Sequence, residues 1–117
     1  MYIGKLAELT GASRKAIRLY ESLGLIPVPS RKGNYRVYSD KDVALIQMIK
    51  RAQSVGFNLA ELKQLVALKA TGNRFPIEAA NRLIAGKREK LRTDMSEIMS
   101  LDQRLIELQD ELERTFG

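Results

Sequence analysis

Arg14, Lys15 and Arg18 lie close together, directly after Ser13. At the 3.6-residue period of a helix they gather on one side, while Ala16, Ile17, Tyr20 and Leu23 gather on the other. An arginine guanidinium is a planar fork that grips two acceptors at once, either N7 and O6 of guanine or two phosphate oxygens, whereas lysine offers a point charge. A second basic group follows in Arg31, Lys32 and Arg36, interleaved with Tyr35 and Tyr38, whose hydroxyls can donate to phosphate or whose rings can pack. Tyr20 joins these candidates, with core packing and a phosphate contact both open. Other chemistry is scarce. The chain has no cysteine and no histidine, which excludes thiolate nucleophiles, disulfides, cysteine-ligated zinc and histidine acid–base catalysis. No glycine-rich phosphate loop, nucleophile elbow or metal-ligand cluster is present in the sequence, so no catalytic residue, metal or cofactor is expected and the chain does not read as an enzyme.

The net charge of +6 is unevenly placed. Residues 1–60 hold ten basic and four acidic groups, and residues 61–117 hold ten of each. Within the second stretch, residues 93–117 carry seven acidic groups against two basic ones. A surface that lies along phosphates should be basic where it docks and can be acidic where it stays clear, so this distribution points to a polyanion such as double-stranded DNA. All four tyrosines fall in the basic half. No apolar run approaches the ~20 residues that span a bilayer, and the N-terminal residues do not resemble a signal peptide. The expectation is a cytoplasmic protein, associated with the nucleoid through DNA, with no membrane partner.

The elements that must position these residues are legible in order. Ile3, Leu6, Ala7 and Leu9 fit one face of a short helix ended by Thr10-Gly11-Ala12, and Ser13 caps a second helix that ends near Gly24. Two short helices joined by a glycine-containing turn, the second with a basic face, form the pattern of a helix-turn-helix over residues 3–24. Leu25-Ile26-Pro27-Val28-Pro29 reads as an edge strand, Ser30 to Asn34 as a tip, and Tyr35 to Tyr38 as the returning strand, giving a wing over 26–38. Ser39 with Asp42, and Asn58 with Glu61, are capping boxes for two further helices. The first carries Val43, Ile46, Ile49 and Ala52 inward; the second carries Leu59, Leu62, Leu65, Val66 and Leu68 until Thr71-Gly72-Asn73. Lys50, Arg51 and Lys63 either extend the basic surface or are solvated. Met48, Met95 and Met99 read as core gap-fillers rather than soft-metal ligands.

Beyond Pro76 there is no proline, and one helix of about 60 Å is expected from residue 76 to 116. Ile84, Leu91, Ile98, Leu105 and Leu112 recur at every seventh position, joined by Leu101 and Leu108. These are the seam of a coiled coil. A homodimer is the favoured reading and packing on the chain's own head the alternative, because a long amphipathic helix would otherwise expose its stripe. Gly86 is a weak point for a bend or a close contact. Heptads alone leave strand direction open. The fold class is therefore mainly α: a winged helix-turn-helix domain over 1–72 with a small hairpin wing, then a linker and dimerisation helix over 73–117.

The order and spacing of Ile3-Gly4-Lys5-Leu6-Ala7, Thr10-Gly11, Ala16-Ile17-Arg18-Leu19-Tyr20-Glu21, Gly24-Leu25-Ile26-Pro27, Asn34-Tyr35-Arg36-Val37-Tyr38-Ser39, Asp42-Val43 and Gly56-Phe57-Asn58-Leu59 resemble the mercury-resistance-regulator (MerR) family of transcription factors over nearly the whole chain. The resemblance implies a winged helix-turn-helix head and an antiparallel coiled coil joining two heads. It also implies binding to a palindromic operator between widely spaced promoter elements, which the activated form underwinds and bends for RNA polymerase. Arg18 is the first residue it implicates, and it tips Tyr20 toward contact. Leu19 stands where many members carry a tyrosine. The chain matches a short form, lacking both the cysteines of the metal and superoxide sensors and the appended ligand-binding domain of the multidrug sensors. A small apolar effector could sit around residues 66–84. The alternative function, from another class, is a DNA-bending architectural or excisionase-like accessory protein. Effector, operator sequence, target genes and sign of regulation are not legible.

Overall fold

The structure, a computed structural model, describes residues 1–72 and 74–117, the side chains of 69–72 excepted. Its element order is α1 (Ile3–Thr10), α2 (Arg14–Ser22), β1 (Ser30–Lys32), β2 (Tyr35–Val37), α3 (Asp40–Ser54), α4 (Leu59–Gly72) and α5 (Ile77–Phe116). The fold is the mainly helical winged helix-turn-helix with a two-stranded hairpin and a long C-terminal helix that the sequence predicts. The chain divides into two units, Met1–Pro76 and Ile77–Gly117.

Within the first unit, α1, α2 and α3 close over Leu6, Ile17, Ile26 and Ile46, all fully buried. The inward face of α1 differs by one residue from the expected one. Leu9 is exposed and Thr10 is buried. Relative to Leu6 the core-facing arc runs through Ile3, Thr10 and Ala7, leaving Leu9 off its edge at 100° per residue. Burial of Thr10 is tolerated because its hydroxyl donates to the Leu6 carbonyl (2.8 Å) and accepts from the Ala12 N–H (3.2 Å). Gly11 then reverses the chain at φ +73°, a left-handed conformation that favours glycine, and its N–H donates to the Ala7 carbonyl. Ser13 caps α2 as expected, its Oγ accepting from the Ala16 N–H at 3.0 Å.

The wing is shorter than predicted and starts later. Leu25 and Ile26 are core residues, and the strand is Ser30–Lys32 instead of the proline-bearing run before it. Pro27 and Pro29 have no N–H to give to a ladder. Ser30 faces Val37, Arg31 faces Arg36 and Lys32 faces Tyr35 in antiparallel register. The residues expected as tip thus form the first strand, and Gly33-Asn34 alone make the turn, with Gly33 at φ +62°.

Both predicted capping boxes are present. The Ser39 N–H donates to Asp42 Oδ2 (2.9 Å), and the Asn58 N–H to Glu61 Oε1 (3.0 Å) while the Glu61 N–H donates to Asn58 Oδ1 (2.8 Å). Ile46 and Ile49 of α3 and Leu65 of α4 are buried, with Val43, Leu59, Leu62 and Val66 partly so; Leu68 is half-exposed. The expected stop at Thr71-Gly72-Asn73 falls on α4 up to Gly72; Asn73 lies outside the described residues.

The second unit is one uninterrupted helix of 40 residues in which none is buried. A Cβ added at Gly86 would meet nothing within 4 Å, so no close contact in the chain explains that glycine. No helix is long and apolar enough to cross a membrane among the described residues.

Candidate nucleic-acid interface

The outward side of α2 presents Arg14, Lys15 and Arg18, all exposed, as the sequence pattern requires once Ile17 and Tyr20 are drawn into the core. Leu19 is exposed on the same helix. Arg14 reaches back over the start of α1, where a Cβ on Gly4 would stand 2.9 Å from its Nη2. The glycine makes room for the guanidinium. The N-cap of α1, Tyr2, gives no side-chain hydrogen bond to the helix, so the positive end of α1 stands beside the Arg14 cation. A helix start next to an arginine suits an anionic oxygen.

On the wing, Arg31, Lys32 and Tyr35 are exposed, and Arg31 Nη1 donates to the Asn34 carbonyl (3.2 Å) across the turn. The Tyr35 ring tilts against Tyr2 at a centroid distance of 5.7 Å. Tyr2 is absent from the contact residues expected from the sequence; its one signal there is membership of the tyrosine set confined to the basic half. Two adjoining surface depressions share Tyr2, Ile3 and Tyr35; Arg14 lines one, and Arg18, Asn34 and Arg36 line the other. The fold therefore brings α2, the wing and the start of α1 around one basic, aromatic surface, although Arg14 and Tyr35 are far apart in sequence.

Two predicted contact residues are buried, and a third, Arg36, is held by a neighbouring acid while it lines the surface. Tyr20 is 6% exposed and its hydroxyl donates to Gln53 Oε1 of α3 (3.0 Å). Tyr38 is 3% exposed, its N–H donates to the Met1 carbonyl (2.7 Å), and its hydroxyl donates to Glu21 Oε2 (3.4 Å). Arg36 Nε is 3.1 Å from Glu21 Oε2 and 3.3 Å from Glu21 Oε1, a pair joining β2 to the last turn of α2. Burial pushes the Tyr20 phenol above its ordinary pKa. Burial also raises that of Tyr38, and the neighbouring Glu21 carboxylate raises it further. Packing is the role the geometry gives both rings. The apolar spacing of Tyr20 is consistent with it, whereas the hold of Glu21 on Arg36 and Tyr38 depends on the wing folding back and has no local signal.

Lys50 is not part of the outer surface: its Nζ donates to the Thr10 carbonyl (3.1 Å) and closes the C-terminus of α1. Arg51 and Lys63 are exposed. Met48, Met95 and Met99 are exposed too, so within the chain they are not core gap-fillers, although Met48 borders an apolar cavity of about 110 Å³ lined also by Leu45, Leu62, Val66 and Phe75. That volume is well below the ~300–1,000 Å³ of most small-molecule sites. On α5, all seven seam residues, Ile84, Leu91, Ile98, Leu101, Leu105, Leu108 and Leu112, are exposed, at 43–65%.

This combination of head, wing and uncovered helix is matched by a family model described as "MerR HTH family regulatory protein" over residues 1–69, and by a second, "MerR, DNA binding", over residues 43–108. The chain belongs to the MerR family. Against HTH-type transcriptional regulator CueR of Salmonella typhimurium it is 35% identical over 109 residues, covering 92% of this chain and 78% of that protein. Against HTH-type transcriptional regulator HmrR of Sinorhizobium medicae it is 42% identical over 69 residues, covering 58% of this chain and 47% of the relative, so this match spans under half of that relative's length. Among solved structures, the regulator PbrR691 from Ralstonia metallidurans CH34, determined in complex with lead(II), superposes with a TM-score of 0.69 at 30% identity, covering 94% of this chain and 86% of that one.

Proposed function

We propose that the protein is a homodimeric, sequence-specific DNA-binding regulator of transcription and not an enzyme. The observation that carries the reading is the convergence of Arg14 and Arg18 of α2 with Tyr35 of the wing and Tyr2 around two adjoining depressions, with Lys15, Arg31 and Lys32 exposed on the same elements. In it, α2 enters the major groove, where its arginines take base edges or phosphates, while the wing and Tyr2 take backbone phosphates and fix register. Tyr20 and Tyr38 act behind this surface, and Arg36 lines it while held by Glu21. The domains are a DNA-reading head over 1–72 and a linker and dimer helix over 73–117.

The seam on α5 joins two copies and so presents two heads to a palindromic operator. The charges favour antiparallel pairing. A parallel pair would set Lys87 against its own copy and Asp94 against its own copy in the seam, whereas an antiparallel pair lays the basic stretch before residue 93 along the acidic stretch after it. Distortion of promoter DNA between its two elements, engaged there by RNA polymerase, is the mode of action consistent with family membership. It takes place in the cytoplasm, at the nucleoid. An effector is left without assigned residues. The test is an electrophoretic mobility shift with genomic fragments followed by footprinting: a specific site between promoter elements supports the reading, and the absence of any specific site at moderate salt sinks it.

A further inference from the structure

The wing is only three residue pairs long, and a two-stranded hairpin of that size is not stable by itself. Four ties hold it: the backbone of Tyr38 on Met1, the ring of Tyr35 on Tyr2, Arg36 on Glu21, and the Tyr38 hydroxyl on the same Glu21. The last two run to α2, where Glu21 lies one turn beyond Arg18 and two turns beyond Arg14 on the same side of the helix. The Glu21 side chain is 13% exposed and receives Arg36 Nε on both oxygens and the Tyr38 hydroxyl on one. We propose that Glu21 is a positioning residue for DNA binding, acting through Arg36 to hold the wing at a fixed place relative to α2, and that Arg36 is a strut and not a phosphate contact. The inference rests on the DNA-binding reading above and adds to it a residue that touches no DNA.

It makes a prediction of opposite sign to simple electrostatics. An acid near a polyanion repels it, so removing Glu21 should tighten binding if the carboxylate were only a nearby charge. If it sets the wing, removing it should weaken binding even though net positive charge rises.

The experiment is a double-mutant cycle on the full-length protein, with operator affinity measured by fluorescence anisotropy at several salt concentrations for wild type, Glu21→Gln, Arg36→Gln, the double variant and the swapped pair Glu21→Arg with Arg36→Glu. Each single change is expected to weaken binding by about tenfold, the weight of one charge-assisted hydrogen bond. The double variant should lose no more than either single one, and the swapped pair should recover affinity. The salt slope should fall in both singles by about 0.9 for each phosphate that the wing ceases to neutralise. Thermal unfolding checks that each variant is folded, and the near-isosteric Glu21→Gln serves if larger changes do not fold. Unchanged or tighter binding by Glu21→Gln overturns the inference, as do losses that multiply in the double variant. If wild type itself finds no specific operator, the DNA-binding reading falls and this inference with it. Specific binding by wild type that ignores Glu21 overturns the inference alone.

Discussion

Arg18 and Tyr20 show how two residues of one turn of α2 divide between surface and interior. Arg18 is exposed beside the wing, so Arg18→Ala should leave the thermal midpoint within about 2–4 °C, as for surface changes of under ~0.5 kcal/mol. Operator affinity should fall at least about tenfold, and with one phosphate fewer neutralised the salt slope should drop by about 0.9. Parallel melts and binding isotherms check both, and unchanged binding removes Arg18 from the interface. Tyr20 predicts the reverse. Tyr20→Phe deletes the hydroxyl that meets Gln53 and should cost about 1 kcal/mol of stability with little effect on the affinity of the folded fraction. The same phenol supplies a pH dependence. Its pKa is raised in the folded chain, so above its ordinary value near 10 the unfolded state gives up the proton first and stability falls as pH rises. Melts between pH 9 and 11 should show this decline, to which Tyr38 adds in the same direction, and Tyr20→Phe should lessen it.

Short-range chemistry explains which elements could be placed from the sequence. The caps of α2, α3 and α4 are contacts between residues three apart, and Ser13, Ser39 with Asp42, and Asn58 with Glu61 all sit where the sequence locates them. The turn between α1 and α2 is equally local, and Gly11→Ala should destabilise the head by about 1–2 kcal/mol, the cost of a side chain in left-handed backbone. A denaturation curve would read that loss, and full stability would show that the turn relaxes. Contacts closed by the path of the chain leave no such local mark. Lys50 looks like one more surface cation until α3 lays it across the end of α1 forty residues earlier. Glu21 looks like an ordinary helix-face acid until the wing returns Arg36 to it. The sequence places the wing a few residues too early because the apolar side chains of Leu25 and Ile26 suit a strand, when both face a core built mostly by helices. The candidate surface is legible in composition, as basic residues and tyrosines, while its sorting into contact and support requires the fold.

At the scale of the whole molecule, half of the interface question lies on α5. Leu105→Asp should give monomers by light scattering, because a carboxylate in a leucine seam has no partner there; a surviving dimer would put the interface elsewhere. Wild-type binding to operator should fall steeply with salt, by several powers of ten between dilute and physiological conditions if six or more phosphates are neutralised. A shallow slope would argue against the broad basic surface formed by α2 and the wing. The bare seam of α5 has one more consequence, for dosage. A protomer that covers its leucines only by meeting another copy has a midpoint of unfolding that climbs with its own concentration. Two heads on one strut then bind a two-part site with an avidity that a single head lacks. Occupancy of the operator would therefore rise more steeply than in proportion to the number of chains, so that the amount of protein made is itself a control on the promoter.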